Sequence, residues 1–201
     1  MAAGRPGSRL LHLHGDQLRG LAPRQDAGPV RGRRVRALRL HVGRAGHEPQ
    51  LDDEHLHGDA PGGGDPDNFN INDCSTQRNL SVEGREQAKN IGDFFKINLI
   101  PIDKVISSEW CRCKETAEIA FKKFETNNFL NSFFSEKFSK NRKKQIKNLK
   151  KYINEWDGNK NLVFVTHYVV ISEALNYAPS SGEIVISNIK FKKIGNIKIE
   201  Y

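Results

Sequence analysis

Read for its apolar positions, the chain has a first third without sustained period and a remainder in which strand-like and helix-like stretches alternate. Ser81 is placed to cap a helix over about residues 81–95, because Ala88, Ile91 and Phe95 recur at i, i+3 and i+7. Pro101 precedes a short strand over 104–107, and Ser108 is read as the cap of a second helix to about residue 124, with Cys113, Ala117, Ala120 and Phe124 on one face. The cleanest period lies over 140–156, where Ile146, Leu149, Ile153 and Trp156 turn inward and lysines outward. Residues 161–165, NLVFV, are apolar without interruption, as a parallel strand covered on both faces requires. Thr166 and His167 follow at its C-terminal end. A short helix over 169–176 and an antiparallel pair around 184–191 and 197–201 complete the pattern. This order predicts an α/β sheet with helices on both faces. Such folds bind ligands beyond the C-terminal ends of their strands, where His167 falls.

Composition divides the chain at a definite place. Residues 1–64 hold six of the seven His and ten Arg, but no Lys, Ile, Asn, Phe or Tyr. The rest holds all eighteen Lys, four Arg and one His. Gly, Arg, Ala and Pro dominate the first part, so residues 1–55 read as a disordered or non-native extension and 56–201 as the folding domain. The one strand-like stretch in the extension, RVRALRLHV over 34–42, alternates charge with small apolar residues. The net charge of +8 favours anionic ligands. An arginine arm can contact nucleic acid through phosphates, but without interleaved aromatics it is a poor nucleic-acid surface.

Three cysteines, Cys74, Cys111 and Cys113, are too few for a disulfide scaffold, and the Cys-x-Cys pair lacks the further ligands of a zinc site. They read as small half-buried helix residues, with pairing of Cys74 to Cys111 or Cys113 left open. No run of about 18 apolar residues is present, which argues against a membrane span. His12 and His14 interrupt Leu10, Leu11 and Leu13, so the N-terminus shows no signal-peptide core.

Three blocks carry cationic or proton-handling side chains at strand ends or first helical turns: CSTQRNLSVEGREQA with Arg78, VISSEWCRCKETA with Arg112, and FVTHYVVI with His167. In these blocks, and in the segment LHGDAPGGGDP before them, the chain resembles branch 1 of the histidine phosphatase superfamily, the phosphoglycerate mutase-like fold, over about residues 56–201. The resemblance implies a three-layer α/β sheet and a metal-independent phosphatase without cofactor, acting on a small phosphorylated compound or phosphohistidine. It aligns His57 with the nucleophile that forms a phosphohistidine. It assigns Arg78, Arg112 and His167 to the phosphate, with Arg suited by its planar fork. Glu183 would orient His167 or line the pocket.

The sequence departs from the family pattern at three places. Leu56 stands where an arginine precedes the nucleophile, the run PQLDDEHLHG is too polar for a central first strand, and Ser132 stands where larger members carry a general acid. Glu136 and Asp59 are weaker candidates for that acid. RVRALRLHV is the one available substitute for the first strand. These departures keep a second reading open, a phosphate-binding pseudoenzyme or inactive chimera.

Overall fold

Alternation of extended and helical segments carries over into the computed structural model, which describes residues 65–156 and 160–199 and the backbone of 37–41. The elements in order are β1 (Ala37–His41), α1 (Val82–Ile97), β2 (Ile102–Ser107), α2 (Cys111–Phe121), β3 (Glu125–Thr126), α3 (Glu136–Ser139), α4 (Arg142–Glu155), β4 (Asn161–Thr166), α5 (Tyr168–Leu175), β5 (Ile184–Ser187) and β6 (Lys193–Ile197). Among the described residues, one sheet contains six strands in the order β3-β2-β4-β1-β5-β6. It is parallel from β3 to β1 and antiparallel through β5 and β6.

Strand β4 shows why the sheet is covered on both sides. Leu162, Val163, Phe164 and Val165 are all fully buried. Side chains alternate between the faces of a strand. Leu162 and Phe164 therefore join one core with Ile146, Leu149 and Ile153 of α4 and Ile171 of α5. Val163 and Val165 join another with Ile91 and Phe95 of α1, and Cys113 and Ala117 of α2. Each buried Val, Leu, Ile or Phe among these contributes roughly 1.5–3 kcal/mol relative to leaving it exposed. The two helices on this second face touch closely: a Cβ at Gly92 would lie 2.5 Å from the carbonyl oxygen of Ala120.

The place between β4 and β5 is filled by residues 37–41, from the charge-alternating stretch that the sequence offers as a substitute strand. Ala37 pairs with Leu162 and His41 with Thr166 on one side, and Leu40 pairs with Ile184 on the other. A strand paired on both sides satisfies both rows of backbone groups, and that pairing outweighs its modest apolar content. Five residues of the segment read as an extension thus belong to the sheet. The run that ends at His57, together with Leu56 and Asp59, lies outside the described residues.

Helix boundaries follow the periodicity, with one correction. Ser81 caps α1, its hydroxyl accepting from the Gly84 amide at 3.1 Å. Ser108 does not cap α2, which starts three residues later, at Cys111, after Trp110. Its first amide is bound instead by the Gln77 side-chain oxygen at 2.9 Å, a partner 34 residues away. The helix also ends early, at Lys122, whose φ of 67° turns the chain out of the helix. In α4, Ile146, Leu149 and Ile153 are buried as expected, while Trp156 follows the helix and donates to Asp103 at 2.7 Å. The final strand starts earlier than the sequence suggests, at Lys193. Among the described residues no helix is long and apolar enough to cross a membrane.

Candidate active site

The ends of β2 and β4 lie side by side, and each hands the chain to a helix. After β2 the turn Ser108, Glu109, Trp110 leads into α2, so Arg112 falls in that helix's first turn. After β4, His167 occupies the cap position of α5. The Ser108 amide donates to the Val165 carbonyl at 2.8 Å and locks the two strand ends together.

This arrangement brings Arg112 and His167 into contact. Arg112 Nη2 lies 3.3 Å from His167 Nδ1, and Ser108 Oγ lies 2.9 Å from His167 Nε2. A guanidinium has no lone pair, so Nδ1 must accept and a neutral imidazole carries its proton on Nε2. That proton goes to Ser108 Oγ, whose own hydrogen goes to Asn131 Oδ1 at 3.1 Å. Trp110 packs edge-on against the imidazole, with centroids 5.3 Å apart. Cys113 Sγ lies 3.6 Å from Nε2, and burial pushes this thiol up to about 12, so it stays protonated.

The other nitrogen of the Arg112 fork holds Asp65, a residue that sequence reasoning missed. Asp65 Oδ1 accepts from Arg112 Nη1 at 2.9 Å and from the Arg78 amide at 3.1 Å, and Oδ2 accepts from Trp110 Nε1 at 2.9 Å. Burial works against this carboxylate's charge. The Arg112 charge and the hydrogen bonds from Trp110, Arg112 and the Arg78 amide outweigh it and hold the carboxyl below its ordinary value of 3.8. The corner therefore binds two anionic oxygens with three N–H donors. Arg78 enters it through its backbone, and its carbonyl accepts from Arg112 Nη1 at 3.3 Å.

Glu183 sits apart from this set. Its carboxylate is buried, accepting from the Tyr177 hydroxyl and, at 2.8 Å, from the Ser180 amide. The Ser132 hydroxyl accepts from the Phe134 amide at 3.3 Å, and Glu136 opens α3 on the surface. Nearer the corner is Glu109, which the sequence reading passed over and which accepts from Asn131 Nδ2 at 2.6 Å.

A disulfide braces the corner. Cys74, in a short 3-10 turn, is bonded to Cys111, the first residue of α2, with Cα atoms 5.7 Å apart. Of the openings the sequence left, this is the pairing the structure contains, and Cys113 remains the free thiol. Gln77 braces the same loop by donating to the carbonyls of Asn70 and Ile71 at 2.9 and 3.0 Å. No sequence signal singles out Asp65 or Gln77, because their partners are remote along the chain.

Comparison with known proteins agrees with this architecture. The model of the histidine phosphatase superfamily (branch 1) matches residues 72–136. The product of open reading frame Rv3214 from Mycobacterium tuberculosis shares the fold, with a TM-score of 0.52 and 15% identity over 84% of this chain and 98% of that one. A phosphoglycerate mutase from Thermus thermophilus aligns with a TM-score of 0.46 and 14% identity over 61% of this chain and 85% of its own. No curated protein matches the chain at the level of sequence. Over the matched residues, which include both Arg78 and Arg112, the chain is similar to the histidine phosphatase superfamily, branch 1.

Proposed function

We propose that the protein is a phosphoric monoester hydrolase that passes the phosphoryl group of a small phosphorylated compound, or of a phosphohistidine, through its own histidine. The observation that carries this reading is the Arg112–His167 pair at two adjacent parallel strand ends, together with the three donors that already hold a pair of anionic oxygens. In phosphoryl transfer, negative charge spreads over the equatorial oxygens, so positioning and fixed positive charge do most of the work. A phosphate takes the place of the Asp65 carboxylate on Arg112 and turns that guanidinium away from Nδ1; His167 then takes a proton from solvent at Nδ1 and donates it to a second oxygen, while its Nε2–H stays on Ser108. The nucleophilic imidazole attacks phosphorus as the bond to the leaving oxygen breaks, and the leaving alkoxide or aryloxide takes its proton from solvent water. Water then attacks the phosphohistidine, releases inorganic phosphate and returns the imidazole.

Two histidines compete for the nucleophile. His57 is the residue the family resemblance selects. His41 ends β1 in register with Thr166, the residue just before His167, so its backbone stands at the strand end such a nucleophile occupies. Incubation with radiolabelled acetyl phosphate separates them. We expect an acid-labile, alkali-stable label on the wild type, lost in whichever of His57→Ala and His41→Ala removes the nucleophile. Label retained in both variants sinks the histidine mechanism.

A second reading, a phosphate-binding pseudoenzyme, is supported by Leu56 in place of an arginine and by the occupied Arg112 fork. It is favoured if inorganic phosphate raises the melting temperature but no label or turnover appears, and it fails if turnover is measured.

A further inference from the structure

The turn that carries the phosphate corner has a second side. Trp110 puts its indole N–H on Asp65 and its edge on His167. It also lines a cavity of about 610 Å³. That volume lies within the range of small-molecule sites. Phe69 stacks on Trp110 with centroids 4.9 Å apart, and Phe138 meets both edge-on, at 5.5 and 5.7 Å. The three rings are neighbours in space from three separate segments, and all three line the cavity.

The polar lining has a definite sign. Lys137 and Lys144 contribute two ammonium groups, and Glu109 is the one acid among the lining residues. Its Oε2 is taken up by Asn131 Nδ2 at 2.6 Å. The cavity thus combines an aromatic wall with an excess of positive charge, and it shares Trp110 with the site that would hold phosphate. An aromatic ring gains offset or edge contacts on such a wall that an aliphatic group does not. An anionic substituent on that ring meets the two lysines.

We propose that this cavity is the leaving-group site and takes an aromatic ring bearing a second anionic group, as in a carboxyaryl phosphate. The assignment of the cavity to a leaving group rests on the phosphate reading of the Arg112–His167 corner. The preference for an anionic ring stands on the cavity's own lining.

Calorimetric titration of the full chain tests it with 4-carboxyphenyl phosphate, phenyl phosphate, glucose 6-phosphate and inorganic phosphate. The carboxylated ligand is expected to bind about tenfold more tightly than phenyl phosphate or glucose 6-phosphate, equivalent to about 1.4 kcal/mol. The double variant Lys137→Ala, Lys144→Ala removes the advantage over phenyl phosphate and leaves phenyl phosphate itself within about twofold, because exposed charges act weakly on a neutral ring. Phe138→Leu weakens both aryl ligands and leaves inorganic phosphate unchanged. Glucose 6-phosphate binding as tightly as the carboxylated aryl phosphate overturns the proposal. So does a lysine variant that weakens every ligand equally, which marks a diffuse field and not a site. A phosphate-free probe, 4-hydroxybenzoate, separates the two assignments. If it binds and is lost in the lysine variant while inorganic phosphate fails to bind, the cavity stands and the phosphate reading falls. If inorganic phosphate binds and no ligand is preferred, the phosphate reading stands and the cavity proposal is overturned.

Discussion

Two sheltered carboxylates, Asp65 and Glu183, are held in opposite ways. Asp65 is bound by groups 13, 45 and 47 residues away along the chain, one of them the charged guanidinium of Arg112. Glu183 is bound by neutral donors three and six residues away, the Ser180 amide and the Tyr177 hydroxyl. The turn that carries Glu183 needs Gly182 at a φ of 69°, a conformation costly for other residues. A charge partner can be traded for another anion, whereas neutral donors folded around their own acceptor cannot. On the proposed phosphate reading the first corner can exchange its anion, while the second keeps the entry to β5 in shape.

The largest separation of the two corners should come from the disulfide. Opening the Cys74–Cys111 bond by reduction, or by Cys74→Ser, is expected to lower stability by about 4 kcal/mol on loop entropy for this separation of 37 residues. Hydrogen exchange should quicken at the Arg78 and Arg112 amides and stay slow at Ser180; uniform quickening would deny that the bond serves the Asp65 corner. Next comes Glu183→Ala, which strands the Tyr177 hydroxyl and the Ser180 amide and should cost about 3 kcal/mol in urea unfolding. A loss below that of a surface substitution would show that the turn does not depend on the carboxylate. Asp65→Asn removes a pair that is still partly open to solvent, with side chains 18% and 14% exposed for Arg112 and Asp65. It should cost only about 1 kcal/mol, yet inorganic phosphate should bind severalfold more tightly. Unchanged phosphate affinity would mean that the anion does not compete for Arg112.

The smallest effects come from pH, and they fall on opposite sides. Asp65 has a folded pKa below its ordinary value, so its contribution is full above 3.8 and is lost as pH falls through the lower, folded value. Tyr177 is raised from 10.0 to about 12, first by its hydrogen bond to Glu183 and then by burial. Its contribution is full below 10.0 and is lost as pH rises towards 12. Unfolding curves of Asp65→Asn should flatten the acid limb alone and those of Tyr177→Phe the alkaline limb alone.

The same difference in reach explains what the sequence disclosed. Strand β4 and helix α4 were legible because their signals, an unbroken apolar run and a 3.6-residue period, lie within one element. Ser81 was legible because its partner, Gly84, is three residues on. His167 and Arg112 were assigned to one site through the family resemblance of the blocks that carry them, and their contact at 3.3 Å is a product of the two adjacent strand ends. Asp65 and Gln77 carry no local mark, since each acts on α2 across a gap that only the folded sheet closes. Ser108 looked like a cap by residue type, but its hydroxyl is committed to His167. The strand over 37–41 was visible only as a strand-like alternation, and its place in the sheet was not legible, because β-pairing on both edges supplies what its own side-chain pattern does not.

The bond between Cys74 and Cys111 turns the intervening chain into a covalent ring that contains all of α1 and β2. Arg78 lies inside the ring, and Arg112 is the first residue beyond it. A protease that nicks the connection between α1 and β2 therefore leaves an oxidised molecule in one piece, with both arginines still tethered at the same seam. The same nick in a reduced molecule leaves two pieces with no covalent link between them, one carrying Arg78 and the other Arg112.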